Sequence, residues 1–229
     1  NLFNERYYKP ELFLEYLRKD KIEKSEIDTV LSEMKGWSGQ LTKIKNSNKL
    51  TKGFKSSDFI NTFKYLLNGL NLNKNIEVLG SKEVLTEEFI PIFLENDIKI
   101  IIIIRDPRDV YSSINNGKGS EYTGSKRPTL FHLRNWRKTI AITNTFKKHK
   151  NCLVLKYEDL IEDQSKTLNE ICSFLNISVY PAEYFSNGIK NQEGEFWQGN
   201  SSTGILNGID SSNRGKFKNH LSDNTIAYI

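Results

Sequence analysis

Five consecutive isoleucines, Ile100–Ile104, constrain the fold of this chain more than any other stretch. The run is β-branched and apolar without polar alternation, which is typical of a central parallel strand buried on both faces. It is far shorter than the roughly 20 apolar residues of a membrane-spanning helix. Arg105 ends the strand, after which Asp106 is suited to cap a helix, Pro107 to open it, and Asp109 to serve as a capping-box acid. A strand that passes directly into a helix predicts an α/β fold.

The junction between this strand and helix predicts a phosphate site. Ligands of open α/β sheets bind at the carboxyl ends of the strands, which is where Arg105 lies. The helix start adds unpaired N–H groups and a positive dipole end, and Ser113, about two turns later, adds a hydroxyl. The alternative is that Arg105 simply pairs with a carboxylate. The local pattern alone favours neither interpretation.

Composition narrows the function only slightly. At 229 residues and 26.5 kDa, the chain is expected to form one domain, with or without a small helical appendage. A net charge of +5 favours an anionic partner, but it is too small to choose among a nucleotide, a nucleic acid and an acidic surface. The mean hydropathy of −0.54 and the lack of a membrane segment predict a soluble protein, which we expect to be cytoplasmic. Cys152 and Cys172 are expected to be buried thiols, and scattered histidines without zinc spacing predict no metal site.

The first 72 residues are predicted to be helical. Apolar spacing indicates one helix over residues 10–37, a polar connection over 39–57, and a second helix capped by Ser57. Residues 75–80 then read as a short strand. With a helix from Thr86 to about Asn96 and the isoleucine strand, they predict a right-handed βαβ crossover.

This crossover is expected to present Lys82 and Glu83 at the same sheet edge as Arg105. The alternative is a surface lysine beside a helix-start acid. Later in the chain, the pattern predicts a loop over 115–128 that covers an acceptor or is merely flexible, and a long helix over 129–150. A strand over 152–157 and a helix from about 167 to 175 follow.

The segment Ile-Arg-Asp-Pro-Arg-Asp-Val-Tyr-Ser-Ser resembles the 3′-phosphate-binding segment of PAPS-dependent sulfotransferases, and family-like segments continue from about Ile76 onward. The resemblance implies a P-loop nucleotide-binding type of three-layer architecture, a parallel sheet flanked by helices. It also implies that Arg105 and Ser113 hold the 3′-phosphate. In Lys-Tyr-Glu-Asp-Leu-Ile-Glu-Asp, Tyr157 matches a tyrosine near the adenine, although it could equally be a strand-end residue packed on the core.

Gly-Ser-Lys-Glu-Val resembles the family segment that carries an active-site lysine, matched here by Lys82. Cytosolic relatives have a catalytic histidine two residues later, where this chain has Val84. Other branches use a glutamate, so Glu83 is the candidate base.

The carboxyl-terminal region, with Phe196-Trp-Gln-Gly and Asn213-Arg-Gly-Lys, resembles the family's nucleotide-covering loop. Many relatives clamp the 3′-phosphate with Arg-Lys-Gly, but residues 210–212 here are Asp-Ser-Ser. The clamp would therefore rest on Ser211, Ser212 and the backbone, with Arg214 as compensation. The alternative is a basic surface loop.

The family's 5′-phosphosulfate loop, which resembles Pro-x-Ser-Gly-Thr-Thr, is not found in this sequence. We therefore expect residues 1–229 to be a single sulfotransferase-like domain that is incomplete at both ends, with a helical part over 1–72 and a nucleotide-binding α/β part over 73–229. A degenerate, non-catalytic relative is the alternative explanation.

Together these features predict an enzyme that moves a sulfuryl group from PAPS to a hydroxyl or amine, in a carbohydrate or a small metabolite. PAPS and an acceptor are the expected partners, with no nucleic acid, membrane or metal. The alternatives are another nucleotide-dependent phosphotransferase or kinase, against which the lack of a Walker A lysine argues, and a non-catalytic polyanion-binding relative.

Overall fold

The computed structural model divides the chain into two compact units, residues 1–100 and 101–229. It describes residues 9–33, 50–70, 76–84, 86–116, 127–180, 196 and 211–229. Several predicted features lie outside these residues: most of the connection over 39–57, residues 117–126 of the predicted loop, and most of the carboxyl-terminal region before Ser211. In the described part of the chain, no helix is long and apolar enough to cross a membrane.

The helix predicted over residues 10–37 is in fact two helices, α1 (Pro10–Lys19) and α2 (Lys24–Glu33). The backbone leaves the helical conformation at Asp20, whose φ and ψ are −70° and 139°. Strand β1 (Ile22–Glu23) then pairs antiparallel with β2 (Ser56–Ser57). The prediction was wrong because this pairing with a distant segment interrupts a continuous helical pattern.

Helix α3 (Phe59–Leu70) follows directly, and its cap is Asp58 rather than the predicted Ser57. The Asp58 Oδ1 accepts a hydrogen bond from the Asn61 N–H at 2.8 Å, whereas Ser57 belongs to β2. The predicted helix near Thr86 is confirmed as a 3-10 turn, Glu87–Phe89, followed by α4 (Ile90–Glu95).

The strand predicted over residues 75–80 is not formed. Among the described residues of this stretch, 76–84 have no regular structure and most are exposed, including Val78 at 42%. A strand this short needs a neighbour to satisfy its backbone groups, and no pairing is present for it in the described part of the chain.

Aromatic side chains form one cluster of the first unit. Phe13 packs edge-on against Phe89 with ring centroids 5.1 Å apart, and Phe63 packs against Phe93 at 5.0 Å. Phe59 contacts both Phe89 and Phe93. A second apolar cluster joins α2 to the residues before β2, and consists of Ile27, Leu31, Leu50 and Phe54.

The second unit contains the α/β core of the fold. Strands β3 (Ile100–Ile104) and β4 (Cys152–Lys156) form a parallel sheet that has two strands in the described part of the chain. The elements around them are α5 (Pro107–Asn116), α6 (Thr129–Phe146), α7 (Tyr157–Glu162), α8 (Gln164–Leu175), 3-10 turns at Ser211–Asn213 and Lys216–Asn219, and α9 (Asp223–Tyr228). The α/β fold is confirmed, with the crossover running from β3 to β4.

Strand β3 has its predicted bounds, but it is not buried on both faces. Ile102 is buried, whereas Ile103 is 56% exposed. A strand is covered on both faces only where helices or other layers pack on each side, and the described residues leave Ile103 open.

Helix α7 occupies a stretch for which no helix was predicted, and the other later elements differ from prediction mainly at their ends. Helix α8 begins at Gln164 because the Asp163 carboxylate caps it by accepting the Lys166 N–H at 2.9 Å. Cys152 and Cys172 are buried free thiols, as predicted, and burial raises the pKa of Cys152.

Candidate nucleotide site

Arg105 stands at the carboxyl end of β3, and three contacts fix its position. Its carbonyl accepts a hydrogen bond from the indole N–H of Trp136 at 2.9 Å. Its guanidinium lies over the ring of Tyr157, 4.6 Å from the centroid, in a cation–π contact. Its Nη2 donates to the carbonyl of Asn213 at 2.5 Å. Arg105, Tyr157 and the carboxyl-terminal segment therefore meet, although they are far apart in the sequence.

The guanidinium of Arg105 retains a donor suited to an anion. Its Nε is buried and has no hydrogen-bond partner among the described residues, while the whole side chain is 21% exposed. A buried N–H of this kind is normally satisfied by ordered water or a ligand. The described residues therefore do not saturate the guanidinium, and its exposed part can meet an anion.

The start of α5 has less capacity for an anion than its sequence suggests. Pro107 opens the helix as predicted. The Asp106 Oδ1 accepts the Arg108 N–H at 2.8 Å, and the Arg108 side chain, which also bonds this carboxylate, lowers the pKa of Asp106. The Asp106 N–H in turn donates to the Glu158 Oε1 at 2.9 Å. Two backbone donors are therefore taken by carboxylates, so the predicted anion site depends more on Arg105.

Asp109 is not the capping-box acid that was predicted. Its side chain is 2% exposed, and it accepts hydrogen bonds from the N–H groups of Gly215 at 2.8 Å and Phe217 at 3.0 Å. Its Oδ2 also lies 3.9 Å from the Nη2 of Arg105. The prediction was wrong because it considered only the local helix start, whereas the carboxylate faces a segment more than 100 residues away.

Ser113 is half-buried on α5. It lies four residues after Asp109, and residues at this spacing share a face of a helix. Its proposed contact with phosphate remains a prediction.

The other predicted nucleotide contacts occupy the carboxyl-terminal segment. Ser211 and Ser212 are exposed at the 3-10 turn whose last residue, Asn213, contacts Arg105. Arg214 is exposed as well, and its Nη2 lies 3.5 Å from the Glu162 Oε2. An exposed pair of this kind is weak, so Arg214 can exchange this partner for another anion.

Lys82 and Glu83 belong to the first unit, where both are exposed in the irregular segment 76–84. The Glu83 Oε1 accepts a hydrogen bond from the Ser81 hydroxyl at 2.5 Å. Their predicted catalytic roles remain predictions.

Sequence reasoning missed the parts played by Trp136 and Asp109 in this site. No local sequence signal linked Asp109 to Gly215 and Phe217, which lie more than 100 residues later. No sequence signal pointed to the hydrogen bond from Trp136 to the Arg105 carbonyl.

Comparison with known proteins identifies the family. The family model described as "Sulfotransferase domain" matches residues 84–228, more than half of the chain. The sulfotransferase domain from the curacin biosynthetic pathway is 20% identical, with a TM-score of 0.53 over 77% of this chain and 67% of its own, and has the same fold. Mouse sulfotransferase SULT7A1, solved in complex with PAP, is 18% identical with a TM-score of 0.43 over 59% of this chain.

This chain spans 56% of the length of the mouse enzyme. A sequence search of the curated proteins finds no match. The family match contains the β3–α5 junction, Tyr157 and the carboxyl-terminal segment that meets Arg105. The chain belongs to the sulfotransferase domain family.

Proposed function

We propose that this protein transfers a sulfuryl group from PAPS to a hydroxyl or amine of an acceptor, a carbohydrate or a small metabolite. The observation that carries the proposal is the Arg105 guanidinium. It lies at the end of a parallel strand against Tyr157, with a buried Nε that lacks a partner among the described residues. Membership of the sulfotransferase family supplies the reaction type.

In this proposal, the 3′-phosphate of the nucleotide is bound by Arg105 and Ser113. The ring of Tyr157 holds the guanidinium plane and lies beside the adenine. Ser211 and Ser212 add hydroxyl donors, and Arg214 adds a charge once it leaves Glu162. The separation of Arg214 from its carboxylate, 3.5 Å, is long enough for this exchange to cost little.

The transfer itself breaks the bond between sulfur and the bridging oxygen of the 5′-phosphate, and forms a bond from sulfur to the acceptor oxygen or nitrogen. PAP is the leaving group and takes the electron pair of the broken bond. Lys82 stabilises charge on the sulfuryl group or the leaving phosphate. Glu83 accepts the acceptor's proton. Positioning and electrostatic stabilisation then supply most of the rate enhancement.

The binding half of the proposal is tested by calorimetry with PAP. Replacing Arg105 by Ala removes a charged donor, and the affinity is expected to fall by about 2–3 kcal/mol, or about 30- to 150-fold. Arg105→Lys keeps the charge but loses the planar fork, so it is expected to recover only part of the affinity. Arg137→Ala is the matched control, because it removes an exposed guanidinium from α6 in the same unit.

An unchanged PAP affinity in Arg105→Ala would refute the assignment. Binding of ATP as tight as that of PAP would favour the phosphotransferase alternative. Affinity that falls steeply with salt for any polyanion, without preference for PAP, would favour the non-catalytic alternative.

The catalytic half is tested with radiolabelled PAPS and a panel of carbohydrate, phenol and amine acceptors. Glu83→Gln is expected to lower kcat by about 100-fold or more while PAP affinity stays near its original value. Lys82→Ala is expected to lower kcat as well. Glu77→Gln and Lys64→Ala are matched controls, since both are exposed residues of the same unit. Equal rates in Glu83→Gln and Glu77→Gln would remove Glu83 as the base.

A further inference from the structure

The Asp109 carboxylate is buried, and each of its oxygens accepts a backbone N–H from a distant part of the chain. Oδ2 bonds Gly215 at 2.8 Å and Oδ1 bonds Phe217 at 3.0 Å. We infer that Asp109 is a positioning residue that fastens the segment 211–219 beside Arg105 and so keeps the nucleotide from leaving. This inference rests on the proposed function, because it assigns that segment to the bound nucleotide.

The backbone of the segment is shaped to receive an anion. Gly215 has φ of +71°, a left-handed conformation that favours glycine, and the 3-10 turn Lys216–Asn219 begins directly after it. No described atom lies within 4 Å of the point where a side chain would start, so its backbone conformation, not lack of space, requires glycine. A left-handed residue beside a helical one turns nearby N–H groups into a single concavity. Here, that concavity holds an internal carboxylate.

The donors of Gly215 and Phe217 therefore serve Asp109, not a phosphate. This separates two roles within the segment. Residues after Arg214 attach it to α5, while Ser211, Ser212 and Arg214 are the residues proposed to contact the nucleotide.

Two further contacts join the same helix region to the segment. The Arg108 guanidinium lies 4.3 Å from the ring centroid of Phe217, which is 5% exposed. Arg105 donates to the Asn213 carbonyl, and its Nη2 is 3.9 Å from the Asp109 Oδ2. Asp109 therefore lies next to the Arg105 guanidinium and is hydrogen-bonded to the segment 211–219. It acts on the nucleotide only through these partners.

The first arm of the test needs no nucleotide. Asp109→Asn keeps the shape of the side chain, but its NH₂ cannot accept a backbone N–H. Hydrogen exchange of the Gly215 and Phe217 amides in the ligand-free protein is expected to be about 10- to 100-fold faster. Asp163→Asn is the matched control, because it removes an equal charge and one carboxylate–backbone bond from the cap of α8 in the same unit.

The second arm measures PAP dissociation by stopped flow. Asp109→Asn is expected to release PAP about tenfold faster. If Asp109 acts through Arg105, the effects of Asp109→Asn and Arg105→Ala on PAP affinity are expected to be non-additive. Gly215→Ala perturbs the same attachment without touching the carboxylate, so it provides the result if Asp109→Asn does not fold. It is expected to speed exchange at Phe217 and PAP release in the same direction.

Unchanged exchange at both amides would overturn the inference, whatever the nucleotide data show. Faster exchange with unchanged PAP release would also overturn it, since Asp109 would then be purely structural. Failure of the unmodified protein to bind PAP would refute the proposed function instead. Asp109 could then have no role toward the nucleotide. The exchange arm would still decide whether Asp109 holds the segment.

Discussion

The two units of this chain are stabilised by different kinds of contact. In the first, apolar side chains join distant segments, as in the packing of Phe13 on Phe89, and the long-range Arg18–Glu95 pair is exposed. In the second, charged and polar groups make the long-range links, as in the bonds of Asp109 to Gly215 and of Arg105 to Asn213. Of the described residues, the buried ionisable ones are Asp109, His132, Cys152 and Cys172, and all lie in the second unit.

This difference sets apart the unit that holds the proposed nucleotide-binding residues. Burying a charge costs free energy unless hydrogen bonds compensate for it, so an apolar side chain is the simpler way to join two segments. The second unit keeps a buried carboxylate and a partly buried guanidinium at the end of β3. In the first unit, by contrast, none of the described ionisable residues is buried as a whole.

The sharpest test of this comparison is Phe13→Ala in the first unit. Phe13 is 5% exposed, and truncation of a buried phenylalanine lowers the free energy of unfolding by about 3–5 kcal/mol. Urea unfolding would measure the loss, with Phe13→Leu as the milder control. PAP affinity under folding conditions is expected to be unchanged, because the aromatic contact of Phe13 is with Phe89, another residue of the first unit. A parallel loss of affinity would break the comparison.

Much of the second unit could be predicted from sequence because short stretches of neighbouring residues determine where its elements begin and end. The isoleucine run sets β3, and the Asp-Pro pair sets the start of α5 within one residue. The proposed anion-binding role of Arg105 comes from its place at the end of a strand together with the family resemblance, and it remains a prediction. Each of these conclusions needs only a few neighbouring residues and the stereochemistry of the backbone.

The failures share a different cause: they depend on partners far along the chain. The break at Asp20 arises from pairing of Ile22–Glu23 with Ser56–Ser57. The true role of Asp109 arises from Gly215 and Phe217, which no local pattern links to it. The exposure of Ile103 depends on which layers cover β3. Local propensity cannot report such contacts, since tertiary structure decides them.

A smaller effect on the free energy of unfolding is expected at acidic pH, from protonation of His132. Burial lowers the pKa of this imidazole, and the Arg127 guanidinium lowers it further. In the unfolded chain it titrates near its ordinary value of about 6.5, so the unfolded state binds more protons between that value and the lowered folded one. The free energy of unfolding is therefore expected to fall as the pH drops below about 6.5.

Urea unfolding of His132→Gln and the original protein across this pH range would measure the contribution. The variant is expected to lose part of the pH dependence, whereas His220→Gln, at an exposed position, is expected to keep it. Equal pH dependence in the original protein and His132→Gln would show that titration of the buried imidazole does not contribute to the pH dependence of the free energy of unfolding.

The smallest effect is expected at the Arg18–Glu95 pair of the first unit. The guanidinium makes two hydrogen bonds to the carboxylate, at 3.0 and 2.6 Å, yet the two side chains are 44% and 45% exposed. Exposed pairs of this kind contribute about 0.2–1 kcal/mol and weaken with salt. A double-mutant cycle with Arg18→Gln and Glu95→Gln, measured by urea unfolding at low and high salt, isolates that interaction. A coupling above about 2 kcal/mol that survives high salt would mean that charge, and not aromatic packing alone, holds the first unit together, since exposed pairs do not reach it.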